Sequence, residues 1–187
     1  MKEIVLSEAE ISDICKNLGQ KITDEIKDEE KLPVLVGIMK GGLNFTMDLL
    51  KNITAPVLTD YIQISSYSGT STTGIINMKK DMTLDCKDRT VILVEDVVDS
   101  GYSIHYLKNY LFEKHQPKRL IVVCLLNKVN CRKIDVQIDY DGKKLEENKF
   151  LMGYGLDYNE LYRNIPYVFV PSDEEVKEYD RLLKERN

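Results

Sequence analysis

The run Val91-Ile92-Leu93-Val94-Glu95-Asp96-Val97-Val98-Asp99-Ser100-Gly101-Tyr102-Ser103-Ile104 carries the densest chemistry in the chain. Two adjacent carboxylates, Glu95 and Asp96, end an apolar β-branched stretch, and Asp99 precedes a Ser-Gly-Tyr-Ser turn that opens a helix. A helix N-terminus offers unpaired backbone N–H groups and the positive end of its dipole, so the hydroxyls of Ser100 and Ser103 complete a cradle for a terminal phosphate. Gly101 lets the backbone approach that phosphate. Glu95 and Asp96 would repel the same anion, so they suit hydroxyl groups or a cation held against a polyanion: ribose and Mg²⁺ fit. The spacing is neither G-x-G-x-x-G nor G-x-x-x-x-G-K-[ST], so neither common nucleotide-binding glycine loop is present. Asp99 or Ser100 would also serve as a helix N-cap, a role compatible with a site. Three carboxylates and two serines so close together, directly after a buried strand, favour a site.

The elements around this run must hold it in place. Thr90 to Glu95 reads as the most deeply buried strand, followed by a helix to about His115 and a strand over Leu120 to Leu126, which together make a crossover unit. Pro33 to Ile38 is a second β-branched run that passes through a glycine-containing turn into a helix around Leu43 to Leu50. Strands apolar on both faces belong in a parallel sheet covered by helices on each side. Pro56 to Ile64 alternates and predicts a further strand, and shorter strands are expected at Ile134 to Ile138, Phe150 to Tyr154 and Tyr167 to Val170. Ser7 with Glu10 is a capping box for a first helix carrying Ile11, Ile14, Leu18, Ile22 and Ile26, and Ser172 with Glu175 caps a last one. Residues 65–74 are almost all small hydroxyl residues and glycine, a composition that predicts a mobile loop. The fold class expected is α/β: an open, doubly wound, mainly parallel sheet whose ligands bind beyond the carboxyl ends of its strands.

The 187 residues carry 26 Lys+Arg against 31 Asp+Glu, a formal charge of −5, which argues against a protein that neutralises phosphates along a duplex. No apolar stretch approaches the roughly 18 residues of a membrane span, and the acidic N-terminus lacks a signal-peptide pattern, so no membrane is expected and a cytoplasmic location is. Cys15, Cys86, Cys124 and Cys131 show no CxxC spacing and read as free thiols rather than a zinc site or disulfide frame. No repeat or Pro-rich linker divides the chain, which is read as one domain.

The 91–104 run resembles the phosphoribosyl-diphosphate-binding motif of type I phosphoribosyltransferases. Gly37-Ile-Met-Lys-Gly-Gly42, Leu125-Leu-Asn-Lys128 and the stretch KFLMGYGLDYNELYRNIPY at 149–167 narrow the resemblance to the hypoxanthine-guanine phosphoribosyltransferases. It covers residues 33 to 170, about three quarters of the chain. The resemblance implies a Mg²⁺-dependent transfer of the 5-phosphoribosyl group from 5-phosphoribosyl 1-diphosphate to a 6-oxopurine. It implies that Asp99 is the general base, that Glu95 and Asp96 hold the ribose hydroxyls and help place Mg²⁺, and that Ser100, Gly101, Tyr102 and Ser103 bind the 5′-phosphate. Lys40, Gly41 and Arg163 would take the diphosphate. Lys128 would read the purine 6-oxygen, Phe150 stack on the ring, and the Leu151 backbone read its edge. Asp157 would reach a second Mg²⁺ through water. Residues 65–78, with Ser66 and Tyr67, resemble the family's lid. A core of about 33–135 with a hood from about 1–30 and 136–187, and a homodimer or homotetramer, are implied as well. Departures from the family pattern are Ser for Thr at 100 and 103, and residues 140–149, where Lys143 and Lys144 stand and a usual proline is missing. Two other readings compete with the 6-oxopurine transferase: a xanthine-preferring one, and a non-catalytic RNA-binding regulator on the same fold. A receiver-like acidic Mg²⁺ site is a third, which the hydroxyl-glycine turn disfavours.

Overall fold

The computed structural model describes residues 2–66 and 76–185. A six-stranded sheet runs in the order β4-β3-β2-β5-β6-β7, built from β2 (Val34–Met39), β3 (Leu58–Ser66), β4 (Ile76–Lys80), β5 (Thr90–Val98), β6 (Arg119–Lys128) and β7 (Tyr140–Leu145). All neighbours are parallel except β3 and β4, which are antiparallel. The lysines of edge strand β4, in Ile-Asn-Met-Lys-Lys, suit an edge that must not recruit another strand.

Helices cover both faces, as a doubly wound sheet requires. The first, α1 (Glu8–Ile26), begins at the Ser7–Glu10 capping box and buries Ile11, Cys15, Leu18, Ile22 and Ile26 along one stripe. Together with α2 (Leu43–Leu50), which buries Phe45 and Leu49, it packs on Leu35, Ile92, Val94, Ile121 and Val123. On the opposite face α3 (Tyr102–Lys114) lays Ile104, Leu107 and Leu111 over Val34, Val36, Val91, Leu93 and Val122. Burying each such side chain contributes about 1.5–3 kcal/mol. Cys15, Cys86 and Cys124 are buried in these clusters, and all four thiols are free. A separate antiparallel pair, β1 (Glu3–Leu6) with β8 (Val168–Val170), carries a small cluster in which Met152 and Phe169 meet Tyr179 of α4 (Asp173–Glu185). Ser172 and Glu175 cap α4 reciprocally.

Several expectations need correction. Ile134 to Ile138 is not a strand: its alternation serves packing, with Val136 and Ile138 set against the α3 cluster, while the neighbouring edge of β6 is taken by Tyr140–Leu145. Phe150 to Tyr154 is broken as a strand by the positive φ of Gly153 and Tyr154, leaving isolated bridges such as Met152 to Phe169. Tyr140–Leu145, the first part of the departing 140–149 stretch, form β7, and Lys143 Nζ donates to the Val5 carbonyl at 2.8 Å, tying that edge to β1. β5 runs on to Val98, so Glu95 and Asp96 lie within the strand rather than at its end. Ser65 and Ser66 belong to β3, and the remainder of the expected 65–74 loop lies outside the described residues.

Asp60 of β3 gives the sheet edge a pH dependence. Its buried carboxylate accepts from the backbone N–H of Thr83 at 2.6 Å, Leu84 at 2.9 Å and Tyr61 at 2.7 Å, and from the Thr83 hydroxyl at 3.1 Å. Burial pushes its pKa up, but these donors outweigh burial and hold it at about 2. A carboxyl depressed on folding stabilises the protein above its unfolded pKa and loses that contribution as pH falls toward the folded value. The wild type should therefore lose about 2 kcal/mol more than Asp60→Asn between pH 5 and pH 2. Urea unfolding of both proteins across that range checks it, and parallel curves would remove Asp60 from the account.

Candidate active site at the carboxyl edge of the sheet

The chain reverses direction across the sheet at the β2–β5 boundary. From β2 it winds outward through α2 to β3, and from β5 it winds outward the other way through α3 to β6. Such a reversal opens a crevice beyond the carboxyl ends of the strands, where ligands of this architecture bind. Lys40 and Gly41 leave β2 there, Asp99 to Ser103 leave β5, and Lys128 ends β6. Strands β5 and β6 pair Val98 with Asn127, which puts Asp99 level with Lys128.

Close backbone packing lines the crevice. A Cβ on Gly41 would lie 2.0 Å from Asp96 Oδ2, and a Cβ on Gly155, at φ +100°, would lie 2.1 Å from the Gly41 carbonyl oxygen. The 154–163 turn region is thereby pressed onto the Lys40-Gly41 turn, whose Met39–Lys40 peptide is cis. Across this contact Lys40 Nζ lies 2.9 Å from Glu160. Arg163 lies 2.8 Å from Asp157 and 3.0 Å from Glu160, and its Nη1 donates to the Gly155 carbonyl at 2.6 Å. Lys40, Gly41, Asp96, Asp157 and Arg163 thus form one contiguous group.

Glu95 and Asp96 are each 8% exposed. Glu95 accepts the Asp96 N–H at 3.2 Å and Asp96 accepts the Val97 N–H at 2.9 Å, and among the described residues no basic side chain bonds to either. Burial, then the neighbouring Asp96 carboxylate, pushes the Glu95 carboxyl well above the usual range. The strand geometry brings the two together: Ile92 and Val94 pack on the α1–α2 face and Val91 and Leu93 on the α3 face, but Val97 and Val98 are exchanged between faces. The alternation therefore slips by one residue around the acidic pair. Adjacent buried carboxylates without a cationic partner suit a hard cation. Among the described residues no three potential metal ligands cluster together. Asp157 has both oxygens engaged, Oδ1 by Arg163 and Oδ2 by the Glu160 N–H at 2.8 Å.

The 99–103 turn opens α3 at Gly101, the N-cap, with φ +88° and no side-chain cap bond. This overturns the capping role for Asp99 and Ser100. The Asp99 carboxylate instead reaches sideways to Lys128 Nζ at 3.0 Å. Lys128 is 7% exposed and also lies 3.5 Å from Asn148 Oδ1. Ser100 is held through its carbonyl, which accepts the amides of Lys133 and Ile134 at 3.0 and 3.2 Å. Tyr102 and Ser103 form the first turn of the helix. Two residues that sequence reasoning missed hold this turn. Arg132 donates to the carbonyls of Val98 and Asp99 and to Asn127 Oδ1, and the Asn127 amide donates to Asp141 at 2.7 Å. An arginine four residues after Lys128 carries no periodic or motif signal, so only contacts across strands reveal it.

Phe150 is exposed, with its ring edge-on to Tyr158 at 6.0 Å between centroids, and Leu151 beside it is buried. Ser66 ends β3, and Tyr67 lies outside the described residues.

A family model described as the phosphoribosyl transferase domain matches residues 2–159. The chain is 38% identical over 169 residues to the hypoxanthine-guanine phosphoribosyltransferase of Staphylococcus epidermidis, covering 90% of this chain and 92% of that one. Its structure is similar to a hypoxanthine phosphoribosyltransferase of Staphylococcus aureus, with a TM-score of 0.86 and 38% identity over 93% of both chains. It is also similar to the Trypanosoma cruzi hypoxanthine phosphoribosyltransferase in complex with the product IMP, with a TM-score of 0.84 and 31% identity over 92% of this chain and 95% of that one.

Proposed function

Because this chain belongs to the hypoxanthine-guanine phosphoribosyltransferases of the phosphoribosyl transferase family, we propose that it transfers the 5-phosphoribosyl group of 5-phosphoribosyl 1-diphosphate to hypoxanthine or guanine, releasing diphosphate. The observation that carries this reading is the Asp99–Lys128 ion pair at the carboxyl edge of the sheet, which joins a carboxylate and a buried cation beside the phosphate turn. A purine ring nitrogen must lose a proton as it attacks the ribosyl carbon, and its 6-oxygen needs a donor. Asp99 accepts the proton, and Lys128 donates to the oxygen. Phe150 offers its ring face for stacking, and the Leu151 backbone reads the purine edge. Ser100, Gly101, Tyr102 and Ser103 receive the 5′-phosphate at the start of α3. Lys40, Gly41 and Arg163 hold the diphosphate, where a planar guanidinium can pair with two phosphate oxygens.

Glu95 and Asp96 orient the ribose hydroxyls, and their negative charge favours an oxocarbenium-like ribosyl centre. Glu95 and Asp96, with Asp157 through water, would hold Mg²⁺, which would supply neutralisation of phosphate charge. Segments of about 1–30 and 136–187 act as a hood beside the 33–135 core, and the protein works in the cytoplasm as a homodimer or homotetramer. Among the described residues, no helix is long and apolar enough to cross a membrane. The xanthine-preferring transferase and the RNA-binding regulator are not favoured by the relatives.

Diphosphate release measured with Mg²⁺, the donor and each purine in turn tests the activity. Release with hypoxanthine or guanine is expected, and no release with any 6-oxopurine would overturn it. A cation opposite the 6-position selects a keto oxygen against the amino group of adenine. A charged hydrogen bond contributes about 1.5–3 kcal/mol, so Lys128→Ala should shrink the hypoxanthine-to-adenine ratio of kcat/KM by about 10–100-fold. An unchanged purine ranking would remove Lys128 from the base pocket.

A further inference from the structure

Glu160 occupies both of the cations assigned above to the diphosphate. One carboxylate oxygen, Oε1, accepts from Lys40 Nζ at 2.9 Å, while Oε2 accepts from Arg163 Nη2 at 3.0 Å and Nε at 3.3 Å. A single oxyanion thus bridges a lysine and a guanidinium contributed by distant parts of the chain, as a phosphate oxygen pair would. The dependence is unequal. Arg163 keeps its bonds to the Gly155 carbonyl and Asp157 without Glu160, but among the described residues Glu160 is the sole partner of the Lys40 ammonium.

Folding stability does not account for this bridge. The side chain of Glu160 is 61% exposed and that of Lys40 50%, and ion pairs so exposed contribute little. Yet the backbone is committed to presenting it: Asn159, Glu160 and Tyr162 take φ values of +48°, +69° and +72°, a region that side-chain-bearing residues rarely adopt. The Glu160 N–H is fixed to Asp157 Oδ2 at 2.8 Å. Strain of this kind persists where the surrounding structure imposes it and concentrates at ligand clamps. Lys40 and Arg163 also lower the pKa of Glu160, which keeps it charged at neutral pH.

We propose that Glu160 is an internal competitor for the diphosphate: its carboxylate holds Lys40 and Arg163 in the empty site, yields them when diphosphate binds, and retakes them as diphosphate leaves. The proposal rests on the assignment of Lys40 and Arg163 to the diphosphate. Glu160 is then a positioning residue that limits how tightly the leaving group is held. Diphosphate bound equally well before and after the chemical step would slow release without speeding transfer. A carboxylate that returns to the same cations lowers that shared affinity and keeps the Lys40 ammonium from swinging into solvent.

The sign of one affinity separates this role from a merely structural one. Isothermal titration of the full chain with inorganic pyrophosphate, at fixed Mg²⁺, should show Glu160→Gln binding about 3–10-fold more tightly than wild type. Glu160→Asp, too short to span both cations, should fall between the two. Lys40→Gln and Arg163→Gln should each bind pyrophosphate more weakly, and IMP affinity should be the same for Glu160→Gln and wild type. If Glu160→Gln binds pyrophosphate as wild type does, or more weakly, while Lys40→Gln and Arg163→Gln are impaired, the competitor role is overturned and the diphosphate assignment stands. If Lys40→Gln and Arg163→Gln bind pyrophosphate as wild type does, the assignment itself fails and the proposal with it.

Discussion

Asp99→Asn should lower kcat by about 10²-fold, the lower end of what a positioned general base contributes, and change donor affinity by less than about threefold. Asparagine keeps the size of the side chain and an oxygen for the Lys128 Nζ, which lies 3.0 Å from Asp99 Oδ2. The turn itself is held elsewhere, by Arg132 on the Val98 and Asp99 carbonyls and by the amides of Lys133 and Ile134 on Ser100. Since the N-cap of α3 is Gly101 and no side chain caps it, the substitution removes no cap. What asparagine cannot do is accept a proton. Steady-state kinetics with hypoxanthine and a thermal melt decide the matter. A wild-type kcat would leave Asp99 as the ion-pair partner of Lys128 only, and a large fall in Tm would show that the carboxylate supports the fold.

Gly155→Ala should damage both stability and donor binding. At φ +100° a Cβ is strained by itself, and here it would lie 2.1 Å from the Gly41 carbonyl oxygen, backbone that cannot rotate away. Left-handed strain and overpacking together cost about 3 kcal/mol or more, which for a chain of this size lowers Tm by roughly 6–12 °C. The damage is not confined to stability. Gly155 exchanges hydrogen bonds with Arg163, its N–H donating to the Arg163 carbonyl at 2.9 Å and its carbonyl accepting Arg163 Nη1 at 2.6 Å. Forcing Gly155 off Gly41 therefore moves Arg163 and the Lys40 turn apart, and the KM for the donor should rise by about tenfold or more, the loss of at least one charged hydrogen bond. Melting curves and donor kinetics on the same preparation check both, and an unchanged donor KM in the fraction that remains folded would mean that the Gly41–Gly155 contact serves packing alone.

Asp99 stands out in the chain because a buried strand must end before a helix begins, and an acidic, hydroxyl and glycine turn at that junction has a recognisable chemistry. The same holds for α1, whose capping box and apolar stripe are local patterns, and for the double-sided apolar strands β2, β5 and β6 that require a covered parallel sheet. Strands β1, β4 and β7 are not legible in the sequence because four to six residues with charged members carry too little periodicity, and pairing across the sheet stabilises them. Ile134 to Ile138 shows the converse, an alternation that serves packing without forming a strand.

The residue types of the site, their sequence order and the architecture that would carry them were all written in local pattern, because capping, alternation and turn chemistry act over a few positions. Only the folded chain could bring Arg132 onto the Asp99 turn, press Gly155 onto Gly41, pair Asp99 with Lys128 and set Glu160 between Lys40 and Arg163. Apart from Glu160 with Arg163, three residues on, each of those contacts joins separate stretches of chain, so its energy depends on where the sheet and its connections place two backbones. No spacing along a single strand or helix encodes that distance.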